Sequence, residues 1–278
     1  MATKSQPETV SENQQGSSRR RKFRFSELLL LLVTLGLIFT LLQNVRLHRL
    51  LTEAEEAGPS PLRADLASEK EFAADNAQLS SAGPHDPRIV FAGDSDMALW
   101  DPLPEVKGSQ IIKRGFGGDR SRDLLVRLQR DVLDLKPAVA VLSIGGNDLE
   151  DLRDYPGQEE AMVAVCQRNI RFMIDILRAH HVQVVLLTIF PWGEEELVGV
   201  PGWPEATYRA EERVNAMIRN LKGPGVTVVD CDPILTQPNG RRKPVYSLGS
   251  EHLNGAGYLA LDQVLAPVLE EVVKKAQP

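Results

Sequence analysis

From Arg88 onward, short apolar runs alternate with amphipathic helical patterns, and few folds tolerate that order. The runs fall at 89–92, 110–113, 139–144, 182–189 and 226–229. Between and after them, apolar residues recur at i, i+3, i+4 and i+7. Leu125, Leu128 and Val132 mark one helix, and Ile170, Met173, Ile174 and Leu177 the next. Val214, Met217, Ile218 and Leu221 mark a third; Leu261, Val264, Leu265 and Val268 close the chain, with Pro267 expected to bend that last helix. Strands alternating with helices predict a parallel sheet covered on both faces, here a three-layer α/β/α sandwich. Ligands of such sheets bind beyond the carboxyl ends of the strands, so the loops there are the place to look for chemistry.

Three of those loops have unusual polar content. The first run ends in Gly93-Asp94-Ser95, a tight turn that lifts a hydroxyl to the end of the sheet. Taken alone it is either an ordinary turn or the seat of a nucleophile. The second loop is Arg114-Gly115-Phe116-Gly117-Gly118-Asp119. It is not a dinucleotide fingerprint, because Arg120 stands where G-x-G-x-x-G requires its last glycine. Its glycines suit close approach of a backbone N–H instead. The third loop is Gly145-Gly146-Asn147-Asp148, where Asn147 is either a turn residue or a side-chain donor to a developing oxyanion.

A nucleophilic serine needs a base. Of five histidines, His48 and His85 precede the alternating region, and His180 and His181 end a helix, where a cation suits the dipole. His252 remains, in Ser250-Glu251-His252-Leu253-Asn254 before the last helix, as a helix-entry residue or the base.

Four blocks in order now carry a resemblance: Gly93-Asp94-Ser95, Arg114 to Asp119, Gly145 to Asp148, and His252-Leu253-Asn254 followed by Gly257-Tyr258. Together they resemble the SGNH (GDSL-type) hydrolases, and 115–128 is especially similar to the platelet-activating-factor acetylhydrolase branch. The resemblance implies a flavodoxin-like five-stranded parallel sheet of order 2-1-3-4-5. It implies Ser95 as nucleophile, His252 as general base and then acid, and an oxyanion hole from the N–H groups of Ser95 and Gly115 and the side chain of Asn147. It implies ester hydrolysis through an acyl-serine, with no cofactor and no metal.

One departure stands out. The family usually has Asp three residues before the histidine, and Gly249 occupies that position. Losing the analogous Asp of a serine protease costs roughly 10⁴-fold in turnover. The expected substitutes are a backbone carbonyl near Gly249, then Glu251; failing both, the chain is a catalytically weak binding module. An O-acyltransferase using the same serine on glycans is the other alternative. In the loop from Pro191 to Pro204, Trp192 and Trp203 suggest a lid, a sugar-stacking platform or a solvated loop. Trp100 lines the pocket or fills core.

The N-terminal region has a different composition. Residues 1–26 carry a net charge of +4, leaving −10 on the remainder, which argues against a nucleic-acid partner. The segment 1–26 reads as a basic, disordered cytoplasmic tail. The segment 27–45 reads as a transmembrane signal anchor, because 28–42 contains no charge and no small-residue cleavage site follows. The heavier basic cluster before the span predicts a cytoplasmic N-terminus and an extracytoplasmic hydrolase domain, periplasmic if the source is bacterial. Residues 46–85 read as stalk and linker, and 86–278 as the hydrolase domain. Cys166 keeps helical register with Val163 and Ile170, as a small buried hydrophobe rather than half of a disulfide. The expected function is a membrane-anchored serine esterase acting on small acyl esters, acetyl above all, of a small molecule or glycan.

Overall fold

The computed structural model describes residues 34, 36, 37, 61–82, 86–194 and 202–276. The chain divides into two units, Met1–Gly58 and Pro59–Pro278. Nearly all of the expected anchor at 27–45 lies outside the described residues. Among those described, no helix is long and apolar enough to cross a membrane.

The second unit is built on a parallel sheet. Its strands are β1 (Arg88–Gly93), β2 (Gln110–Gly115), β3 (Val139–Ser143), β4 (Gln183–Leu187) and β5 (Val226–Val229), in the order β2-β1-β3-β4-β5. That is the order the resemblance implied. The apolar run at 182–189 overshoots its strand because Thr188 to Phe190 are buried without being paired as strand.

Successive residues of a strand face opposite ways, and both faces of this sheet are buried. Val90 and Ala92 point into one core, with Leu124 and Leu128 of α3 (Ser121–Asp131), Ile170 and Met173 of α5 (Glu159–Ala179), and Val214 and Ile218 of α6 (Glu205–Arg219). Ile89 and Phe91 point into the other, with Leu235 of α7 (Asp232–Leu235) and Tyr258, Leu261, Leu265 and Leu269 of α8 (Gly255–Ala276). Cys166 belongs to the first core and Trp100 to the second; both cysteines are free and buried. Trp100 is thus a core residue, its indole N–H donating to Asp262 Oδ1 at 2.9 Å. Pro267 lies inside α8, which continues to Ala276.

The linker expected up to residue 85 is corrected by α1 (Pro61–Ala82), a helix of 22 residues packed against α3. Its buried stripe is Ser68, Phe72 and Asn76, four residues apart and only one of them apolar, so no apolar period betrays it. Phe72 lies under the Arg114 guanidinium, 4.9 Å from ring centre to Cζ, and meets Phe116 edge-on. Arg114 Nε and Nη2 donate to Asn76 Oδ1, and Asn76 Nδ2 donates to Asp131 Oδ1. Arg88 Nη2 caps the carbonyl of Leu79 at 2.7 Å. Polar groups thus fix a helix that hydrophobic patterning alone does not announce.

Candidate active site

β1 ends at Gly93, and the next four residues turn over the end of the sheet. The Asp94 carboxylate accepts the Asp96 N–H at 3.0 Å, capping the short helix α2 (Ser95–Ala98). The backbone of Phe116 donates to Gly93 O at 3.0 Å, and Tyr258 Oη donates to the carbonyl of Asp96 at 3.0 Å. Ser95 is therefore held from β2 on one side and from α8 on the other.

His252 reaches the same place from the far end of the chain. It sits in a small antiparallel hairpin, β6 (Ser247–Leu248) and β7 (His252–Leu253), with Leu248 opposite His252. Gly249 makes the turn at φ 67°, a left-handed backbone that favours glycine. The result is a contact of 3.0 Å between His252 Nε2 and Ser95 Oγ. With Nε2 unprotonated, the serine hydroxyl donates to it.

Asn147 lies at the start of α4 (Gly146–Glu150), directly beyond β3. Its Nδ2 donates to the carbonyl of Asp119 at 2.9 Å, which ties the second loop to the third. Asp148, next to it, points the other way: its carboxylate accepts the N–H and hydroxyl of Ser121. Burial pushes the Asp148 carboxyl up to about 6 even though both Ser121 contacts favour the charged form. Asp119 pairs with Arg127 at 2.6 Å, both fully buried, and Arg127 Nη2 donates to Gly93 O. These groups fix the loops and leave Asn147 at the cleft.

Ser95, Asn147 and His252 line one cleft of about 290 Å³ including its mouth, closed by Gly146 and Trp192. Gly115 does not line it. A Cβ on Gly115 would lie 2.2 Å from Ala98 N and 2.4 Å from Met97 C, so the residue is small in order to seat α2. Since Phe116 N–H points to β1, the Gly115 N–H one residue earlier points away from it. The donor role expected of Gly115 is corrected accordingly. The open positions of that loop are Gly117 and Gly118, with no neighbouring atom within 4 Å of a built Cβ.

The rim of the cleft is acidic. Asp94, Asp96, Glu150 and Glu251 line it, and no Lys or Arg does so among the described residues. Burial raises the Asp94 carboxyl well above its ordinary range, with Asp96 adding to the effect, and lifts Asp96 to about 7 against the pull of Arg242. His252 is shifted down, chiefly by burial and further by Arg242, while Glu251 opposes. Among the described residues no carboxylate accepts a hydrogen bond from the second ring nitrogen of His252, and no group of three or more His, Cys, Asp or Glu side chains is placed to hold a metal ion.

The two tryptophans of the loop after β4 do not form an exposed platform. Trp192 and Trp203 are buried against each other, ring centres 4.2 Å apart, with the Arg153 guanidinium over Trp203. Residues 195–201 between them lie outside the described residues. Sequence reasoning missed Asp96 and Arg242. The position of Asp96 beside Ser95 was a signal for the first; an arginine in an irregular loop offered none for the second.

Comparison with known proteins agrees with the fold. A model of the GDSL-like lipase/acylhydrolase family matches residues 80–260. An uncharacterized lipoprotein of Bacillus subtilis, YqeF, is 31% identical over 119 residues, covering 37% of this chain and 48% of that protein, so the match spans about half of the relative's length. A solved GDSL-like lipase from Bacteroides thetaiotaomicron superposes with a TM-score of 0.56 at 22% identity, over 73% of this chain and 97% of that one. A structure from Streptococcus pneumonia described as a platelet activating factor protein gives 0.58 at 24%, over 73% and 94%. An acetyl-xylooligosaccharide esterase variant from Geobacillus gives 0.53 at 18%, over 68% and 95%.

Proposed function

The chain belongs to the GDSL-like lipase/acylhydrolase family and is a carboxylic ester hydrolase, and from that premise we propose that Ser95 and His252 perform its chemistry as a dyad. The observation that carries the reading is the 3.0 Å contact between His252 Nε2 and Ser95 Oγ at the mouth of a cleft. His252 takes the hydroxyl proton as Ser95 Oγ attacks the acyl carbon, then delivers it to the departing alcohol. The acyl-serine is released by water activated at the same ring nitrogen. The oxyanion is met by the Asn147 amide and by the N–H of Ser95, one of the donors that the first turn of a helix leaves unpaired.

Cleft size supports a short acyl group, acetyl first, since the enclosed space beside Ser95 is only about 30 Å³, far below the roughly 300–1,000 Å³ of pockets for larger ligands. The carboxyl-lined rim supports a neutral or cationic alcohol, such as a sugar hydroxyl, over an anionic one. The uncharged stretch 28–42 after a basic cluster supports a membrane anchor that holds the enzyme outside the cytoplasm, and the curated relative is itself named a lipoprotein. The test is a series of p-nitrophenyl esters from acetate to decanoate. We expect kcat/KM to be highest for acetate and to be abolished in Ser95→Ala and His252→Ala. A preference for long chains overturns the acyl assignment, and activity surviving in Ser95→Ala overturns the dyad.

A further inference from the structure

Nothing in the family pattern explains how His252 is held without an aspartate at 249. The structure offers one group that is hydrogen-bonded to three residues of its hairpin, Ser247, Gly249 and Glu251. Arg242 is buried, 1% exposed, and its guanidinium spends its donors on backbone and hydroxyl oxygens around the hairpin. Nη2 donates to Gly249 O at 3.1 Å, Nη1 to Glu251 O at 3.0 Å and to Pro191 O at 3.2 Å, and Nε to Ser247 Oγ at 3.1 Å. Its own backbone N–H donates to Trp192 O at 2.9 Å. Gly249 and Glu251 are in the turn that delivers His252, while Pro191 and Trp192 belong to the loop that closes the cleft.

We propose that Arg242 is a positioning residue for His252, its guanidinium tying the carbonyls of Gly249 and Glu251 to that of Pro191 and so fixing the imidazole on Ser95 in place of the missing carboxylate. The proposal rests on the Ser95–His252 reading above.

Two further features fit. Among the described residues no carboxylate stands within ion-pair distance of the Arg242 side chain, so the donors are committed to the loop carbonyls rather than to a salt bridge. Gly193 is packed into the same seam: its N–H donates to Ser250 O at 2.8 Å, and a Cβ there would lie 3.0 Å from Gly249 O and 3.1 Å from Arg242 Nη2.

Arg242 also differs from an aspartate in sign. An aspartate stabilises the imidazolium, whereas a guanidinium opposes it. The other titratable groups lining the cleft with His252 are Glu251 on its own loop, Asp94 and Asp96 on the serine turn and Glu150 on α4, all of them acids, and of these Glu251 acts on the imidazole. Burial is the main cause that holds His252 toward its unprotonated form, the one that accepts the serine proton; Glu251 opposes it, and Arg242 adds a smaller push in the same direction as burial.

The experiment uses the full chain and three variants, with turnover of p-nitrophenyl acetate divided by active sites counted with a fluorophosphonate. Arg242→Lys keeps the charge and loses the bridging geometry; Arg242→Met loses both; Gly193→Ala wedges a methyl between Arg242 and Gly249. The expected result is a drop of about tenfold or more in kcat per titrated site in all three. The acid limb of kcat/KM should stay in place for Arg242→Lys and move to higher pH for Arg242→Met. If the Met variant fails to fold, the Lys and Ala variants carry the test. Folded variants with wild-type kcat per site overturn the proposal, as does a loss confined to the number of active sites. Failure of the dyad itself is distinguishable, because then Ser95→Ala and His252→Ala leave the wild-type rate intact.

Discussion

Restoring an aspartate at position 249 tests whether His252 is held without a carboxylate. Gly249 has φ 67°, and a Cβ built on it meets nothing within 4 Å. Asp tolerates that conformation at a cost of about 1–2 kcal/mol. In a domain of this size each kcal/mol lowers Tm by about 2–4 °C. Because the residue is exposed, the new carboxylate stands in water, where an ion pair with the imidazolium is worth at most about 1 kcal/mol. That limits the gain in turnover to about fivefold. A buried, oriented aspartate would instead give up to about 10⁴-fold, or about 5 kcal/mol of barrier. The two outcomes differ by three orders of magnitude, so p-nitrophenyl acetate turnover per fluorophosphonate-titrated site, read beside a thermal melt, separates them. We expect Gly249→Asp to melt a few degrees lower with turnover changed by less than about fivefold. A rise of about 10²-fold or more would refute the argument, because it would put a carboxylate in reach of the ring and show that nothing else was orienting it.

Other outcomes follow from the same geometry. Asn147→Ala should lower kcat by about 10²–10³-fold while KM changes little, as measured by steady-state kinetics; an unchanged kcat removes Asn147 from the oxyanion hole. Phe72→Ala, which empties the contact between α1 and the two arginines, should cost about 3 kcal/mol in denaturant unfolding with kcat per site retained. Glu211 is buried and has its carboxyl raised well above 4.5 by burial, with Asp232 adding to the effect. A carboxyl raised in the folded state is protonated there first, so its contribution is present below about pH 4.5 and is lost as pH rises toward the folded value. Glu211→Gln should therefore raise Tm by about 2–4 °C at pH 8 and leave it unchanged at pH 4; equal shifts at both pH values would mean that Glu211 does not titrate in this way.

The sheet was legible because each strand is a short apolar run between polar turns, and buried parallel strands cannot hide that. α1 was not, since its docking face is Ser68, Phe72 and Asn76 and its affinity comes from Arg88, Arg114 and Arg130, which a hydrophobic period does not register. Ser95, Asn147 and His252 were named from motif and loop position, and the fold brings all three to one cleft. Gly115 was misplaced because a glycine required for packing under α2 and a glycine required for an exposed N–H look alike in sequence. The expectation that a carbonyl near Gly249 serves the histidine meets a structure in which that carbonyl accepts from Arg242. Arg242 lies seven residues from its Gly249 partner and 51 from its Pro191 partner, in loops with no period, so only three dimensions reveal it.

The most direct measurement is mass spectrometry of the full chain after reaction with a fluorophosphonate. The account predicts one phosphonyl adduct, on the peptide containing Ser95, formed faster as His252 loses its proton and absent from Ser95→Ala. An adduct on another serine, or an unreactive chain that still cleaves p-nitrophenyl acetate, would contradict it.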